Sequence, residues 1–442
     1  MLRELHPQYH VKGPKRFAES IKFIRDKLGI TPFTPGELMS ISHRYQQDLI
    51  NGISKGADSS LAMYDTRLPS VDREKLPVGK KVLVIEIGGT NIRAASVINS
   101  EQGLEIEKKE GEELFIKKGL KRKVYSDADD FLNEVFNFLD PVISKVHPDT
   151  LSVIWSFPGE PQISEDGISV DIKSTEELTK GFVIPGISMI PIGKKILGLL
   201  NNRYQLKENI PLAVMNDTRA AEGGIIGSGF NLAFGKYNSE SGGFDKISDF
   251  IPYAYRQVDE MSANPGKQLA EKHISGDYLG LLLKVVASEL EKSGLLTQKI
   301  MHDKSEFFSR LLKVALDKNI AYEYLNPYMV ATLMYLARQA IVRSAQLAGT
   351  MIGTGIATFK NDYFPNWNEN RKRDYKMDYI LEGSIVEKVP GYLSLVNQYA
   401  NEVSEQWRIK INVRSVENAG IFGAAAAALD IYRRNTDLTG MI

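Results

Sequence analysis

The 442-residue sequence predicts an α/β protein, of two or three domains by its length, and three features predict the fold class. First, the apolar, β-branched runs at residues 81–87 and 92–98 flank Gly88-Gly89-Thr90-Asn91, the composition of a strand–turn–strand hairpin. Second, residues 151–157 and 212–215 are short apolar runs that end directly in polar residues, as strands do where an open α/β sheet collects its ligands. Third, apolar periodicity near 3.6 runs through residues 268–292, 305–316 and 327–347, so the chain beyond Gly223 reads as mainly helical.

The remaining elements follow in chain order. Residues 14–28 put Phe17, Ile21, Ile24 and Leu28 on one helical stripe. A second helix opens at Thr34-Pro35-Gly36-Glu37, which combines a capping hydroxyl, proline at the first helical position and the reciprocal glutamate of a capping box. Residues 67–77 form a proline-bearing charged connector. From Ser126 a helix lines up Leu132, Val135, Phe136, Leu139, Val142 and Ile143, with Pro141 placed to kink it. Residues 360–378, rich in charge and asparagine, read as an exposed excursion. Gly420-Ile421-Phe422-Gly423 and the five alanines after it read as a helix whose backbone can approach a neighbour closely.

Composition narrows the function. Lys plus Arg (55) equal Asp plus Glu (55), so no summed field draws the chain to nucleic acid or to a membrane surface. The absence of cysteine excludes disulfides, thiolate catalysis and cysteine-held metals, and suits a cytoplasmic location. No apolar stretch approaches the ~18 residues of a membrane span. The six histidines are scattered, with no pair at i, i+3 or i+4, which argues against a histidine metal site.

Four pieces carry chemistry. Gly88-Gly89-Thr90-Asn91 offers backbone N–H donors at a turn that phosphate oxygens can approach, and Glu86 beside it is placed to hold Mg²⁺ through water. Alone, a Gly-Gly hairpin is most often only a turn. Asn216-Asp217-Thr218 ends a buried strand with a carboxylate able to take the proton of an attacking hydroxyl, although an aspartate there also suits a helix cap. Gly227-Ser228-Gly229 is a second phosphate-cradling turn, and Glu382-Gly383-Ser384 follows the apolar run 379–381. Two glycine hairpins with an aspartate between them, and a distal glycine-rich helix start at Gly420, repeat the layout of the actin-like ATPase (ribonuclease H-like) superfamily. That layout implies a duplicated α/β fold whose small and large domains flank a deep nucleotide cleft.

Within that superfamily the sequence resembles the eukaryotic-type hexokinases, nearly end to end. The resemblance rests on Ser60-Leu61-Ala62-Met63 with Leu68-Pro69-Ser70, on Glu86-Ile87-Gly88-Gly89-Thr90-Asn91-Ile92-Arg93, on Ser156-Phe157-Pro158 and on Thr179-Lys180-Gly181-Phe182. It continues through Asn216-Asp217-Thr218, Gly227-Ser228-Gly229-Phe230-Asn231, Asn238-Ser239-Glu240-Ser241-Gly242 and Asn264-Pro265-Gly266-Lys267, leading to Glu271-Lys272 and Ser275-Gly276-Asp277-Tyr278-Leu279-Gly280. It implies an ATP- and Mg²⁺-dependent kinase acting on the 6-hydroxyl of glucose or a related hexose. Asp217 is then the general base and Lys180 a second catalytic group. Ser156, Phe157, Thr179, Lys180, Asn216, Asn231, Glu240 and Glu271 contact sugar. Glu86, Gly88, Gly89, Thr90, Asn91, Arg93, Gly227, Ser228, Gly229, Gly383, Ser384 and Gly420 face the nucleotide.

The implied organisation is an N-terminal helical part of the large domain (1–72), a small domain (73–216), the large domain (217–422) and a C-terminal helix returning to the small domain (423–442). A monomer or weak homodimer is expected. The chain departs from the family pattern at Glu86 and Glu382, where aspartate is usual, and Asn231 follows Asp217 after an unusually short connection. The two glutamates leave open a second reading, a hexose-binding sensor that phosphorylates slowly. A bacterial repressor-and-kinase type would carry a cysteine-rich zinc motif, and an actin or chaperone relative would lack the sugar loops.

Overall fold

The computed structural model describes residues 15–54, 59–68, 71–89, 91–121, 123–157, 159–175, 178–179, 182–188, 190–206, 210–295, 327–368 and 374–439. Two helices open it, Lys15–Asp26 and Pro35–Ile53. The second starts at the expected capping box: the Glu37 amide donates to Thr34 Oγ1 (3.3 Å) and the Thr34 amide to Glu37 Oε2 (2.7 Å). A short strand, β1 (Tyr64–Asp65), follows.

The chain then builds an eight-stranded sheet. Its strands are β2 (Lys81–Ile87), β3 (Asn91–Ser100), β4 (Gly103–Ile106), then, after the small β5 (Lys108–Lys109) and β6 (Glu112–Glu113) pair, β7 (Phe115–Gly119), β8 (Thr150–Trp155), β9 (Gly159–Ile163) and β10 (Val170–Ser174). A second small pair, β11 (Leu178–Thr179) and β12 (Phe182–Val183), precedes the last member, β13 (Leu212–Met215). The order is β4-β3-β2-β8-β13-β10-β9, with β7 also on β3. β2, β3 and β4 are an antiparallel meander, and β8 and β13 run parallel to β2.

A six-stranded sheet repeats this scheme. β14 (Gly223–Ile226), β15 (Phe230–Phe234) and β16 (Tyr237–Asn238) form the meander, and β17 (Tyr375–Glu382) and β18 (Ile409–Arg414) run parallel to β14, in the order β1-β16-β15-β14-β17-β18. The same five-strand topology used twice makes this the duplicated actin-like ATPase fold.

The chain beyond Gly223 is mainly helical, as its periodicity implied, but it also holds this whole meander and its parallel partners, which the sequence reading did not name. β18 carries a legible period of two, with Ile409, Ile411 and Val413 buried and Lys410, Asn412 and Arg414 exposed. β14 and β15, short and interrupted by Gly223, Gly224 and Asn231, carry none. Residues 375–378 begin β17 rather than ending an excursion, and Trp367 packs toward Trp407. The helical run 268–292 breaks at Ser275, into Leu269–Ile274 and Gly276–Lys292. Residues 305–316 lie outside the described residues. Pro141 sits in the last turn of the helix Ala128–Ile143, so the hydrogen bond it removes disturbs only the helix end.

Both faces of the first sheet are covered, which explains why β2 carries the continuous apolar run Val82–Ile85 rather than alternating. Leu83, Ile85 and Ile87 pack with the helices Ala128–Ile143 and Ile192–Tyr204, while Val82 and Val84 pack with the C-terminal helix Ala419–Thr439 through Ala424–Ala428. That helix lies close because a Cβ on Gly423 would collide with the carbonyl oxygen of Ala220. The second sheet shares a larger core with the N-terminal helices and the long helix Pro327–Thr358. Among the described residues no helix is long and apolar enough to cross a membrane.

Candidate active site

Asp217 opens the one-turn helix Asp217–Ala220 directly after β13. Asn216, not Asp217, is the cap: its side chain accepts from the Thr218 amide at 3.1 Å. Asp217 Oδ1 accepts from the same amide at 2.9 Å, the residue is half-buried, and its Oδ2 makes no hydrogen bond among the described residues. The helix packs on β8, β14, β15 and β16, so Asp217 stands where the two sheets meet.

On one side of it lies a cluster of amides and acids. Asn231 Nδ2 donates to Asn238 Oδ1 (2.8 Å) and more weakly to Glu240 Oε1 (3.4 Å), while its Oδ1 accepts from the amides of Leu232 (2.8 Å) and Ser241 (2.9 Å). Asn238 Nδ2 donates to Glu240 Oε1 at 2.7 Å. Glu240 is held at φ +46°, a left-handed conformation that a glutamate adopts only when its surroundings impose it. Tyr45, fully buried, meets Ser241 Oγ at 2.6 Å and anchors this loop from the second helix. Glu271 reaches the cluster from the helix Leu269–Ile274, its Oε2 accepting from the Phe230 amide at 3.2 Å. Asn231, Glu240 and Glu271 therefore converge on β15 and its flanking turns.

A narrow cavity separates Asn216, Asn238 and Glu240 from Phe157, Pro161 and Met215. Phe157 borders it while packing edge-on or tilted against Trp155, Phe131 and Phe182. Ser156 is buried, with its amide donating to Ile87 O at 3.2 Å. Thr90 and Lys180 lie outside the described residues, as does the side chain of Thr179.

The two glycine turns follow β2 and β14, and a Cβ on Gly229 of the second would meet Glu271 Oε2 at 3.4 Å. Gly88 N donates to Asn91 O (3.0 Å) at the β2–β3 turn, and Gly227 N to Gly229 O (2.9 Å) at the β14–β15 turn, where Ser228 is exposed. Gly383, at φ +127°, and Ser384 close over the second turn: a Cβ on Gly227 would meet Ser384 N at 3.4 Å. Gly276 N donates to Gly227 O at 2.7 Å, so a third backbone segment joins them.

One guanidinium links both halves. Arg93 donates through Nε to Glu86 Oε2, and its Nη2 lies 2.8 Å from Glu382 Oε1. Glu382 Oε2 accepts from Gly420 N at 3.0 Å. Burial pushes the Glu86 carboxyl above the usual carboxylate range; Arg93 opposes this, and the charges of Glu382 and Asp217 add to it. Glu86, read from the sequence as a water-mediated magnesium ligand, is thus an ion-pair partner of Arg93 in this arrangement. Among the described residues no cluster of three or more His, Asp or Glu side chains is placed to hold a metal.

Sequence reasoning assigned no role to Thr218 or Asn238. Thr218 Oγ1 lies 2.8 Å from Asn216 Oδ1 and 3.0 Å from Asn238 Oδ1. Both residues stood inside motifs already singled out, but their importance depends on which strands are neighbours.

Two family models described as hexokinase match residues 30–221 and 235–430. Hexokinase-2 of Rattus norvegicus is 26% identical over 299 residues, covering 59% of this chain and 31% of the rat protein. Hexokinase-1 of Saccharomyces cerevisiae is 27% identical over 388 residues, covering 72% of this chain and 73% of the yeast protein. A solved hexokinase from Schistosoma mansoni, complexed with glucose, superposes with a TM-score of 0.76 at 18% identity, over 94% of this chain and 99% of that one. The chain spans under a third of the length of the rat relative, and the structural likeness speaks to the fold.

Proposed function

The chain belongs to the hexokinase family, and we propose that it transfers the γ-phosphoryl group of MgATP to the 6-hydroxyl of glucose or a closely related hexose in the cytoplasm. One observation carries this reading: Asp217, half-buried and with no described residue bonded to its Oδ2, opens a helix that packs on β14, the strand leading into the second glycine turn, and that meets the converging Asn and Glu side chains through Thr218 and Asn238. A pyranose presents hydroxyls that each donate and accept, which amides and carboxylates arranged around a ring match.

Asn216, Asn231, Glu240 and Glu271, with Ser156, Phe157, Thr179 and Lys180, bind and orient the sugar. Asp217 takes the 6-hydroxyl proton as that oxygen bonds to the γ-phosphorus and the bond to the β-bridging oxygen breaks, releasing ADP. Backbone amides around Gly88–Asn91 and Gly227–Gly229, with Gly383, Ser384 and Gly420, receive the phosphates and the nucleoside. Mg²⁺ bound to the phosphates supplies charge neutralisation for the transferring group. Residues 73–216 act as the small domain and 217–422 as the large one, and sugar contacts from both close the cleft against water.

The test is a coupled assay over several hexoses with MgATP, wild type beside Asp217→Ala. The variant is expected to lose roughly 10²- to 10⁴-fold in turnover while hexose still raises its unfolding temperature. Unchanged turnover sinks the role of Asp217. Glucose-dependent stabilisation of the wild type without sugar phosphate formation would favour the sensor reading that Glu86 and Glu382 leave open.

A further inference from the structure

We propose that Asn238 is a positioning residue that sets the orientation of the hexose-binding groups and ties them to the helix carrying Asp217; this rests on the function proposed above. Asn238 ends β16 and is 5% exposed. Its backbone is fixed from two sides, in register with Tyr64 of β1 and Ala233 of β15, so its side chain leaves the sheet in one direction. That side chain is used at both ends. Oδ1 accepts from Asn231 Nδ2 at 2.8 Å and lies 3.0 Å from Thr218 Oγ1, while Nδ2 donates to Glu240 Oε1 at 2.7 Å.

The chemistry leaves asparagine little competition. Glu240 is an acceptor, so the atom facing it must donate; Asn231 presents an NH₂, so the atom facing that must accept. One primary amide does both within a single side chain. A leucine would take from Glu240 its shortest described donor and from the Asn231 amide its better acceptor, leaving the two only their weak 3.4 Å contact with each other, and an ionised aspartate would set one carboxylate against another. Because Thr218 adjoins Asp217 and also reaches Asn216 Oδ1 (2.8 Å), the same amide links the general base's helix to the sugar loop. Glu240, in its left-handed conformation, has its Oε1 drawn inward by Asn238 while its backbone oxygen accepts from Gly243 N at 2.9 Å. Asn238 itself borders the cavity with Asn216 and Glu240, but its hydrogen bonds are spent on protein.

Two variants test this. Asn238→Ala is expected to raise the hexose KM roughly 10- to 100-fold, the loss that goes with a buried hydrogen bond to a charged group, and to leave the ATP KM within about twofold. Asn238→Asp is expected to be similarly poor at pH 8 and to recover hexose affinity as pH falls toward 6. A proton shared with Glu240 restores a donor on one side and leaves an acceptor on the other. Hexose binding by calorimetry, run beside the kinetics, follows the same pattern. Hexose and ATP KM values that move in proportion, or an Asn238→Asp variant with no pH-dependent recovery, overturn the proposal and leave Asn238 a structural residue. A wild type that neither binds nor phosphorylates any hexose overturns the underlying function. A wild type that does both while Asn238→Ala keeps its hexose KM overturns this inference alone.

Discussion

Replacing Gly383 with alanine probes the proposed nucleotide side of the site without removing a functional group. Gly383 has φ +127°, a region that side chains rarely enter, and a Cβ there would lie 2.5 Å from Ile226 O and 2.9 Å from Gly227 N. Those atoms belong to the β14–β15 turn, and they are backbone, so the clash is not relieved by turning a rotamer. To reach even a tight contact the turn must retreat by at least about 0.5 Å. The conformational strain costs about 1–3 kcal/mol and the overpacking about 1–3 kcal/mol more. Together these consume a large part of the ~5–15 kcal/mol that holds a folded domain. Since about 1 Å of misplacement costs on the order of 10²-fold in rate, half of that predicts roughly a tenfold fall in kcat/KM for ATP at saturating hexose. The hexose KM should move little, because the Asn231–Glu240 cluster is held by its own hydrogen bonds. Gly198→Ala is the control: it lies inside the helix Ile192–Tyr204 with nothing within 4 Å of the added carbon, and should stabilise by about 0.5–1 kcal/mol. Steady-state kinetics with each substrate varied, beside thermal unfolding, decides it. Gly383→Ala matching the control in both stability and ATP kinetics refutes the reasoning.

Two further perturbations follow from buried charges. Arg93→Met leaves Glu86 and Glu382 facing each other without their guanidinium, and should cost about 3–5 kcal/mol at pH 7.5. Glu86 then binds a proton more readily folded than unfolded, so this deficit shrinks as pH falls toward 5.5; a deficit that is constant or grows in denaturant titrations at the two pH values contradicts the ion-pair account. Lys272→Met removes a buried ammonium whose Nζ lies 2.5 Å from Asp259 Oδ1 and 2.8 Å from Asn264 O. It should destabilise by about 3 kcal/mol, and a loss under about 1 kcal/mol would show that the loop carrying Asn264 is held by other means.

Several elements were legible from the residues because their signals are local. The Thr34–Glu37 capping box, the hairpin between β2 and β3, and the strand ending at Met215 depend only on neighbours a few positions away. The resemblance carried by the order of motifs also grouped Asp217, Asn231, Glu240 and Glu271, which stand at a helix start, near the start of β15, in a tight turn and in a short helix. Glycine at 420 and 423 announced a close approach but not its object, which is Ala220 and the helix of Asp217. The second sheet escaped notice because β14 and β15 are short and broken by glycine and asparagine. Their pairing with β17, whose registered residues lie about 150 positions away, is what makes them strands.

What the sequence determined by itself is the set of chemical groups and the local turns that present them, because propensity, capping and glycine chemistry act over a few residues. Tertiary structure alone decided which groups face each other. Glu86 and Glu382 meet at Arg93 only because the ends of β2, β3 and β17 converge where the two sheets meet, and Asn238 reaches both Asn231 and Glu240 only because β16 lies beside β15. Hydrogen bonds and ion pairs act over a few ångströms of space, and distance along the chain does not report those ångströms.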